Sequence, residues 1–278
     1  MTSSLAPRAI QIRHCSRLEE FESCVRVQQR VWGDELAVPV TMIIAVQHAG
    51  GQVIGAFDNE QLVGCVVAFA GTHQLPARSG SAQRVDSIFL HSHIAVVLPE
   101  LRDHGIGRSL KLFQRQDALK RGIDLIEWTF DPLELKNAHF NFVRLGAIAR
   151  RYIPNCYGIT QSALHAGMPT DRLVAEWWLA CDRVKAILAD DPMPPKSKVV
   201  RIPVPADISD RKLFDGAPAL RVQSEARELF QNWLGRGYAV TGVEKRGAMV
   251  DYLLEPADAI AGVRLPPLSN AQVLKGAE

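Results

Sequence analysis

Two short stretches carry residue types at spacings that could do chemistry. In Leu101-Arg102-Asp103-His104-Gly105-Ile106-Gly107-Arg108-Ser109, two glycines follow an arginine and open a basic, helix-prone segment running to about Arg121. Glycine has no Cβ to hold an anion away, so such a loop can close bare backbone N–H groups on one. The N–H groups from His104 to Ser109 would stand unpaired at the positive end of a helix dipole, where phosphate binds. The dipole contributes only about 0.3–1 kcal/mol at an exposed site, so cations such as Arg102 and Arg108 must supply the rest. The second stretch is His91-Ser92-His93, inside the strand-like run SIFLHSHIAVVL. Strand alternation puts both imidazoles on one face. An ordinary histidine pKa of about 6.5 suits a base, or a substrate-binding group, near neutrality. Two histidines could instead hold zinc, but no third ligand stands at motif spacing, and no metal is expected.

The surrounding elements must place these groups. Ala9 to His14 alternates as a strand, and Leu18 to Trp32 reads as an amphipathic helix. Thr41 can cap a second helix ending near Ala49. Val53 to Asp58 and Leu62 to His73 form a hairpin around Asp58-Asn59. A polar loop, Leu75 to Val85, precedes the strand Asp86 to Leu98. The helix after the glycines shows a broad apolar stripe: Ile106, Leu110, Leu112, Phe113 and Leu119. A strand (Leu125 to Phe130), a helix (Leu133 to Leu145), a strand (Ala147 to Ile153) and an extended segment (Thr170 to Leu179) follow. DDPMPPKSK, from Asp190, reads as a linker. Beyond it come a strand (Val199 to Val204), a helix (Ala219 to Gly235) and a hairpin (Tyr238 to Leu254). The division expected is residues 1–190 as the main domain and 191–278 as a small α+β lobe.

Among phosphate cradles, a P-loop needs GxxxxGK[ST], which does not occur, and a dinucleotide fingerprint needs a third glycine where Leu110 stands. The third option is a coenzyme A pyrophosphate loop. Arg102-Asp103-His104-Gly105-Ile106-Gly107 resembles the R/Q-x-x-G-x-G/A signature of the GNAT (GCN5-related N-acetyltransferase) superfamily. The strand ending in Pro99, the following helix and strand, and Asn137 with Leu145-Gly146-Ala147 downstream fit the same pattern, over about residues 10 to 160. HSHIAV, WTFDPL and YIPNCYG look like a bacterial GNAT subgroup of about this length.

The resemblance implies an α/β (α+β) fold: a mixed, mostly antiparallel sheet, splayed at its centre and flanked by helices. It implies an acyl-CoA co-substrate, acetyl-CoA by default or another acyl-CoA, held by the loop residues Arg102, His104, Gly105, Ile106, Gly107, Arg108 and Ser109. The backbone of Ala95, Val96 and Val97 would pair with the pantetheine arm, and Val96 or Val97 would offer an N–H to the oxyanion. Asn137 would assist near the thioester. Phe142, counted with the coenzyme-binding residues, stands where many members carry an acid tyrosine and has no proton to give. Tyr157, then Tyr152, are the substitutes. The implied activity is N-acyl transfer by direct attack of an amine on the thioester. A non-catalytic acyl-CoA sensor, a succinyl-CoA-dependent amino-acid N-succinyltransferase and a scaffold with a vestigial loop are the alternatives.

Further candidates are Glu127, Asp131 and His139, with Asp131 read chiefly as a helix cap. Arg144, Arg150 and Arg151 could recognise a carboxylate. An amine with a pKa of about 10.4 is neutral in roughly one molecule in 2,500 at pH 7, and an α-amine near 7.7–8.0 in about one in ten. A small α-amine or amino acid is therefore the expected acceptor.

Bulk composition bounds the rest. The 278 residues are 47 % hydrophobic and 22 % charged with a net charge of +2, an ordinary globular balance that gives no global nucleic-acid or membrane surface. Five scattered cysteines without a CxxC pair argue against a zinc ribbon or disulfide framework. No stretch approaches the roughly 20 apolar residues of a membrane span, and the N-terminus lacks a signal-like apolar run. Those features lead to the expectation of a cytoplasmic protein with a small-molecule partner, and a homodimer is possible.

Overall fold

The computed structural model describes residues 9–76, 84–158, 167–191, 199–210, 216–260 and 263. Its secondary structure is mixed: a mostly antiparallel sheet with flanking helices, as expected. Residues 1–71 and 90–123 form one compact unit, and residues 72–89 and 124–278 a second. Among the described residues no helix is long and apolar enough to cross a membrane.

The first unit contains strands β1 (Ile10–His14), β2 (Gln52–Asp58), most of β3 (Gln61–Pro76) and the last part of β4 (Arg84–Val97), in the order β1-β2-β3-β4. β1 and β2 pair antiparallel from Ile10↔Asp58 to His14↔Ile54, and β2 and β3 form the hairpin read from the sequence. Helices α1 (Leu18–Trp32), α2 (Val40–His48) and α3 (Ile106–Lys120) belong to this unit. α1 starts as a box in which the Glu20 carboxylate accepts from the Ser16 and Arg17 N–H groups at 2.8 and 3.2 Å. α2 starts one residue before Thr41: Pro39 is its N-cap, and the fixed φ of a proline serves the turn without a side-chain cap. The core gathers Phe21, Ile43, Ile54, Phe57, Val66, Ile94 and Leu110 with three buried thiols, Cys15, Cys24 and Cys65.

The loop expected at Leu75 to Val85 is shorter than that, because β3 runs through Pro76 and β4 starts at Arg84; residues 77–83 lie outside the described set.

The second unit orders its strands β5 (Leu125–Phe130), β7 (Arg172–Trp178), β6 (Ile148–Ile153), β9 (Tyr238–Arg246), β10 (Met249–Pro256) and β8 (Val200–Pro205). The single helix expected over Leu133 to Leu145 is two pieces. α4 (Leu135–His139) passes into a π-helical turn over Phe140–Arg144, where the Leu145 N–H reaches back to the Phe140 carbonyl at 3.1 Å. Helix α5 (Asp182–Leu188) was not anticipated. The segment after residue 199 continues the sheet of this unit: β9 joins β6 at Ala149↔Val240, and β10 carries β8. Helix α6 (Gly216–Gly235) lies on β6, β8 and β9, with Phe230 stacked on Tyr152 and edge-on to Tyr252. Linker residues 192–198 lie outside the described set.

Candidate functional site

The glycine loop has a backbone that only certain residues can follow. After β4, the Leu98 N–H donates to the Val63 carbonyl at 2.9 Å and a 3-10 turn spans Pro99–Leu101. Two left-handed residues then reverse the chain, Asp103 at φ 62° and Gly105 at φ 79°. Aspartate tolerates that region better than most side chains, and glycine occupies it without strain. Gly105 is the N-cap of α3. Ser109 N–H donates to the Gly105 carbonyl at 3.0 Å, so the N–H groups of Ile106, Gly107 and Arg108 precede the helical ladder.

A Cβ on Gly105 or Gly107 would meet nothing within 4 Å. Packing therefore does not demand glycine at 107, and the space beside both glycines, where a Cβ would sit, is open. Cationic donors flank it. Arg102 is exposed, with its Nε 3.4 Å from the Val97 carbonyl, and the half-buried Arg108 keeps a buried Nε without a hydrogen-bond partner among the described residues. His104 Nδ1 lies 2.7 Å from the Arg102 carbonyl, which closes the turn. N–H groups, an orphaned guanidinium donor and open room make up a donor set suited to a phosphate.

The last part of β4 alternates in burial with the period of a strand. Ser92, Ile94 and Val96 are buried, whereas His93 and Ala95 are exposed and His91 is half-buried. The two imidazoles share the outer face with Phe69 of β3: ring centroids are 5.0 Å apart for Phe69–His91, 6.1 Å for Phe69–His93 and 6.0 Å for His91–His93. Partial desolvation lowers the His93 pKa, which favours the neutral imidazole at pH 7. Close approach of β3 is enforced at Gly64, where a Cβ would stand 2.8 Å from the Val96 carbonyl.

On the inner face Ser92 meets two buried residues of α3 that the sequence reading missed, Lys111 and Gln114. The buried stripe of α3 is Ile106, Leu110, Lys111, Gln114 and Ala118, and Leu112, Phe113 and Leu119 are only half-buried. Helical spacing from Ile106 and Leu110 does reach 114 and 118. Counting apolar letters instead of positions hid it.

The first unit thus brings together His91, His93, Ala95 to Val97 and Arg102 to Ser109. Asn137, Phe142 and Tyr157 belong to the second. There, Asn137 is exposed on α4. Phe142, expected among the coenzyme-binding residues, has 0 % of its surface exposed and packs edge-on to Phe130 and Tyr252. It is a core side chain, placed inward by the π-helical turn. Tyr157 is exposed, with its hydroxyl 2.7 Å from Thr129 Oγ1. Desolvation raises its pKa, so it holds its proton at neutral pH.

Tyr152 donates to Asp171 at 2.5 Å and desolvation raises its pKa strongly, which commits that phenol to the structure. Glu127 is buried. Desolvation opposes its ionisation, but the His73 hydrogen bond at 3.4 Å and the Arg151 guanidinium at 2.5 Å outweigh it and hold the carboxyl below its usual range. Arg150 is buried against Glu176 at 2.7 Å. Arg150 and Arg151 are thus already neutralised by carboxylates of the same unit, which leaves Arg144 and His139 as the exposed basic candidates there. The Asp131 carboxylate accepts from Leu133 N–H at 2.8 Å and so caps a turn ahead of α4, whose N-cap is Glu134.

No family model matches this chain, and no curated protein matches it. Solved structures do. NAA60 of Arabidopsis thaliana, solved with acetyl-CoA, aligns at 11 % identity over 61 % of this chain and 99 % of that one, TM-score 0.49. The ribosomal-protein-S18-alanine N-acetyltransferase of Escherichia coli aligns at 11 % identity over 68 % and 98 %, TM-score 0.47. A Desulfovibrio desulfuricans protein named for the GNAT acetyltransferases aligns at 15 % identity over 62 % and 100 %, TM-score 0.46. The chain is similar to acetyltransferases. At this level the likeness concerns the course of the chain, not its chemistry.

Proposed function

We propose that the protein is an acyl-CoA-dependent N-acyltransferase, with acetyl-CoA as the default donor and a small amine or amino acid as acceptor. One observation carries the reading. A left-handed glycine caps a 15-residue helix directly after the imidazole-bearing strand, with open space beside it and unpaired donors in front of it. In this reading the pyrophosphate sits on the N–H groups of Ile106, Gly107 and Arg108, with the side chains of Arg102, His104 and Arg108 around it. The backbone of Ala95 to Val97 accompanies the pantetheine arm.

The amine must lose a proton, the oxyanion needs an N–H donor, and the departing thiolate needs a proton. A neutral imidazole on the outer face of β4, His93 or His91, takes the first proton or holds the acceptor. The N–H of Val96 or Val97 serves the oxyanion. The C–N bond forms as the C–S bond breaks, giving amide and free thiol, with one proton released to solvent when the amine enters as its ammonium form.

Calorimetric titration with CoA, acetyl-CoA and succinyl-CoA, followed by thiol release against an amine panel, tests this. Binding with turnover supports the enzyme. Binding without turnover on any amine would leave a coenzyme-sensing module, and no binding would refute the reading.

A further inference from the structure

Under the imidazole-bearing stretch of β4 lies a buried polar cluster built on α3. Lys111 Nζ donates to Ser92 Oγ at 2.9 Å and to Gln114 Oε1 at 2.9 Å, and Gln114 Nε2 lies 3.4 Å from the same Ser92 oxygen. Lys111 is 3 % exposed, Gln114 0 % and Ser92 4 %. The Gln114 carbonyl accepts from Gln52 Nε2 at 3.2 Å, and that same amide nitrogen donates to Asp117 at 2.7 Å. Burying an amine is costly, and an apolar side chain of similar length would fill the stripe shared with Ile106 and Leu110 without that cost. An amine there does two things that methionine cannot: it donates to Ser92 and Gln114, and it can change charge. Lys111 stands four residues past Gly107, about 6 Å along the helix axis. The amine itself is buried, so an anion on the exposed loop would be screened from it less than from a charge in water.

We propose that binding of the coenzyme pyrophosphate at the Arg102–Gly107 loop is coupled to protonation of Lys111, and that the resulting ammonium fixes Ser92 and the β4 backbone between His91 and His93. The inference rests on the coenzyme reading of the loop. The proton comes from solvent, and no covalent bond changes. Desolvation pushes the Lys111 amine down to about 7, so both protonation states are present near neutrality and a nearby anion favours the charged one.

β1 and β2 pack against α3, and the groups that titrate or carry charge on these elements are Arg13 and His14 on β1, Asp58 on β2, and Arg108, Arg115, Asp117, Lys120 and Arg121 on the helix itself, with His104 on the loop before it. His91 and His93 lie on the other face of β4. His14 is held 3.3 Å from Asp117. His104 lies on the loop itself, so its contribution must be separated from that of Lys111 in the test.

The probe is 3′-dephospho-CoA, which lacks the phosphomonoester that titrates near pH 6. Calorimetry at pH 7 in buffers of different ionisation enthalpy counts the protons taken up on binding. Wild type should take up about half a proton more than Lys111→Met, because a group with its pKa near the working pH is about half protonated before binding. Wild-type affinity should weaken by up to about tenfold from pH 6.5 to 8.5, one decade per unit of pKa difference, whereas that of Lys111→Met should stay flatter. Should Lys111→Met fail to fold, Lys111→Gln carries the same readout. Equal uptake in wild type and the Lys111 variant, or complete loss of uptake in His104→Asn, overturns the proposal while leaving the loop reading intact. Failure of wild type to bind the probe overturns both.

Discussion

Replacing Gly107 by glutamate should strengthen the fold and weaken coenzyme binding at the same time. The second residue of α3 has room for a side chain, since a Cβ there meets nothing within 4 Å. Removing a glycine from a helix gains up to about 1 kcal/mol, and less near the end. A carboxylate in the first turn gains about 0.3–1 kcal/mol from the helix dipole. In a chain of this size each kcal/mol raises Tm by about 2–4 °C, so the variant should melt at or slightly above wild type. Binding should move the other way. A carboxylate about 5 Å from a phosphate charge costs about 1 kcal/mol in water and about 3 kcal/mol at an effective dielectric near 20. The loop is exposed, so the lower figure applies, and two phosphate charges give about 2 kcal/mol, or about 30-fold in Kd. Calorimetry with CoA measures it. Gly107→Ala isolates the steric share, and 1 M salt, with a Debye length of about 3 Å, should recover much of the electrostatic share. A glutamate variant that melts like wild type yet binds CoA within about threefold of it would show that the loop is not the phosphate cradle.

Three further outcomes follow from the same geometry. Phe142→Tyr puts a hydroxyl among the rings of Phe130 and Tyr252 in the core of the second unit, and an unpartnered hydroxyl there should cost about 1–3 kcal/mol in urea denaturation. Unchanged stability would mean that the side chain reaches solvent or a partner. Glu176→Gln leaves the buried Arg150 guanidinium without its carboxylate and should cost about 3–5 kcal/mol by the same assay, and a loss under 1 kcal/mol would refute that account of the pair. For Lys111, with its pKa lowered from 10.5 to about 7, the unfolded chain binds the extra proton between those values. Stability therefore rises with pH through that window and falls back as pH drops to 7, by about 1.4 kcal/mol per unit at most. Lys111→Met should lose that slope, and parallel pH–stability curves would refute the buried-amine account.

The parts of the fold legible in the sequence were those set by short-range rules. The burial of residues 91 to 97 follows the strand period that puts His91 and His93 on one face, and Gly105 marks the left-handed cap because few other residues occupy that region without cost. The hairpin of β2 and β3 followed from its turn residues. Long-range pairing set the rest. Nothing near Val240 announces that β9 will join β6, because the proline-rich stretch before β8 reads as a linker whether the strands beyond it form their own sheet or extend an existing one. The π-helical turn was equally silent, since one extra residue in a helical turn leaves a short apolar pattern almost unchanged.

Lys111 shows where pattern reading fails and why the failure points somewhere. Matching apolar letters to a helical period drew the stripe of α3 through Leu112, Phe113 and Leu119, whereas the backbone turns Lys111 and Gln114 inward. A buried amine is the kind of exception that the hydrophobic pattern cannot report, because the pattern assumes that charged residues stay in water. Its hydrogen bonds to Ser92 and Gln114 make the burial tolerable without making it favourable over a methionine. Local rules are therefore broken at a position about a helical turn from the glycine loop and directly beneath the two imidazoles. Such violations concentrate where a protein does chemistry. For that reason Lys111, more than any exposed histidine, is the residue whose charge state should be measured alongside coenzyme binding.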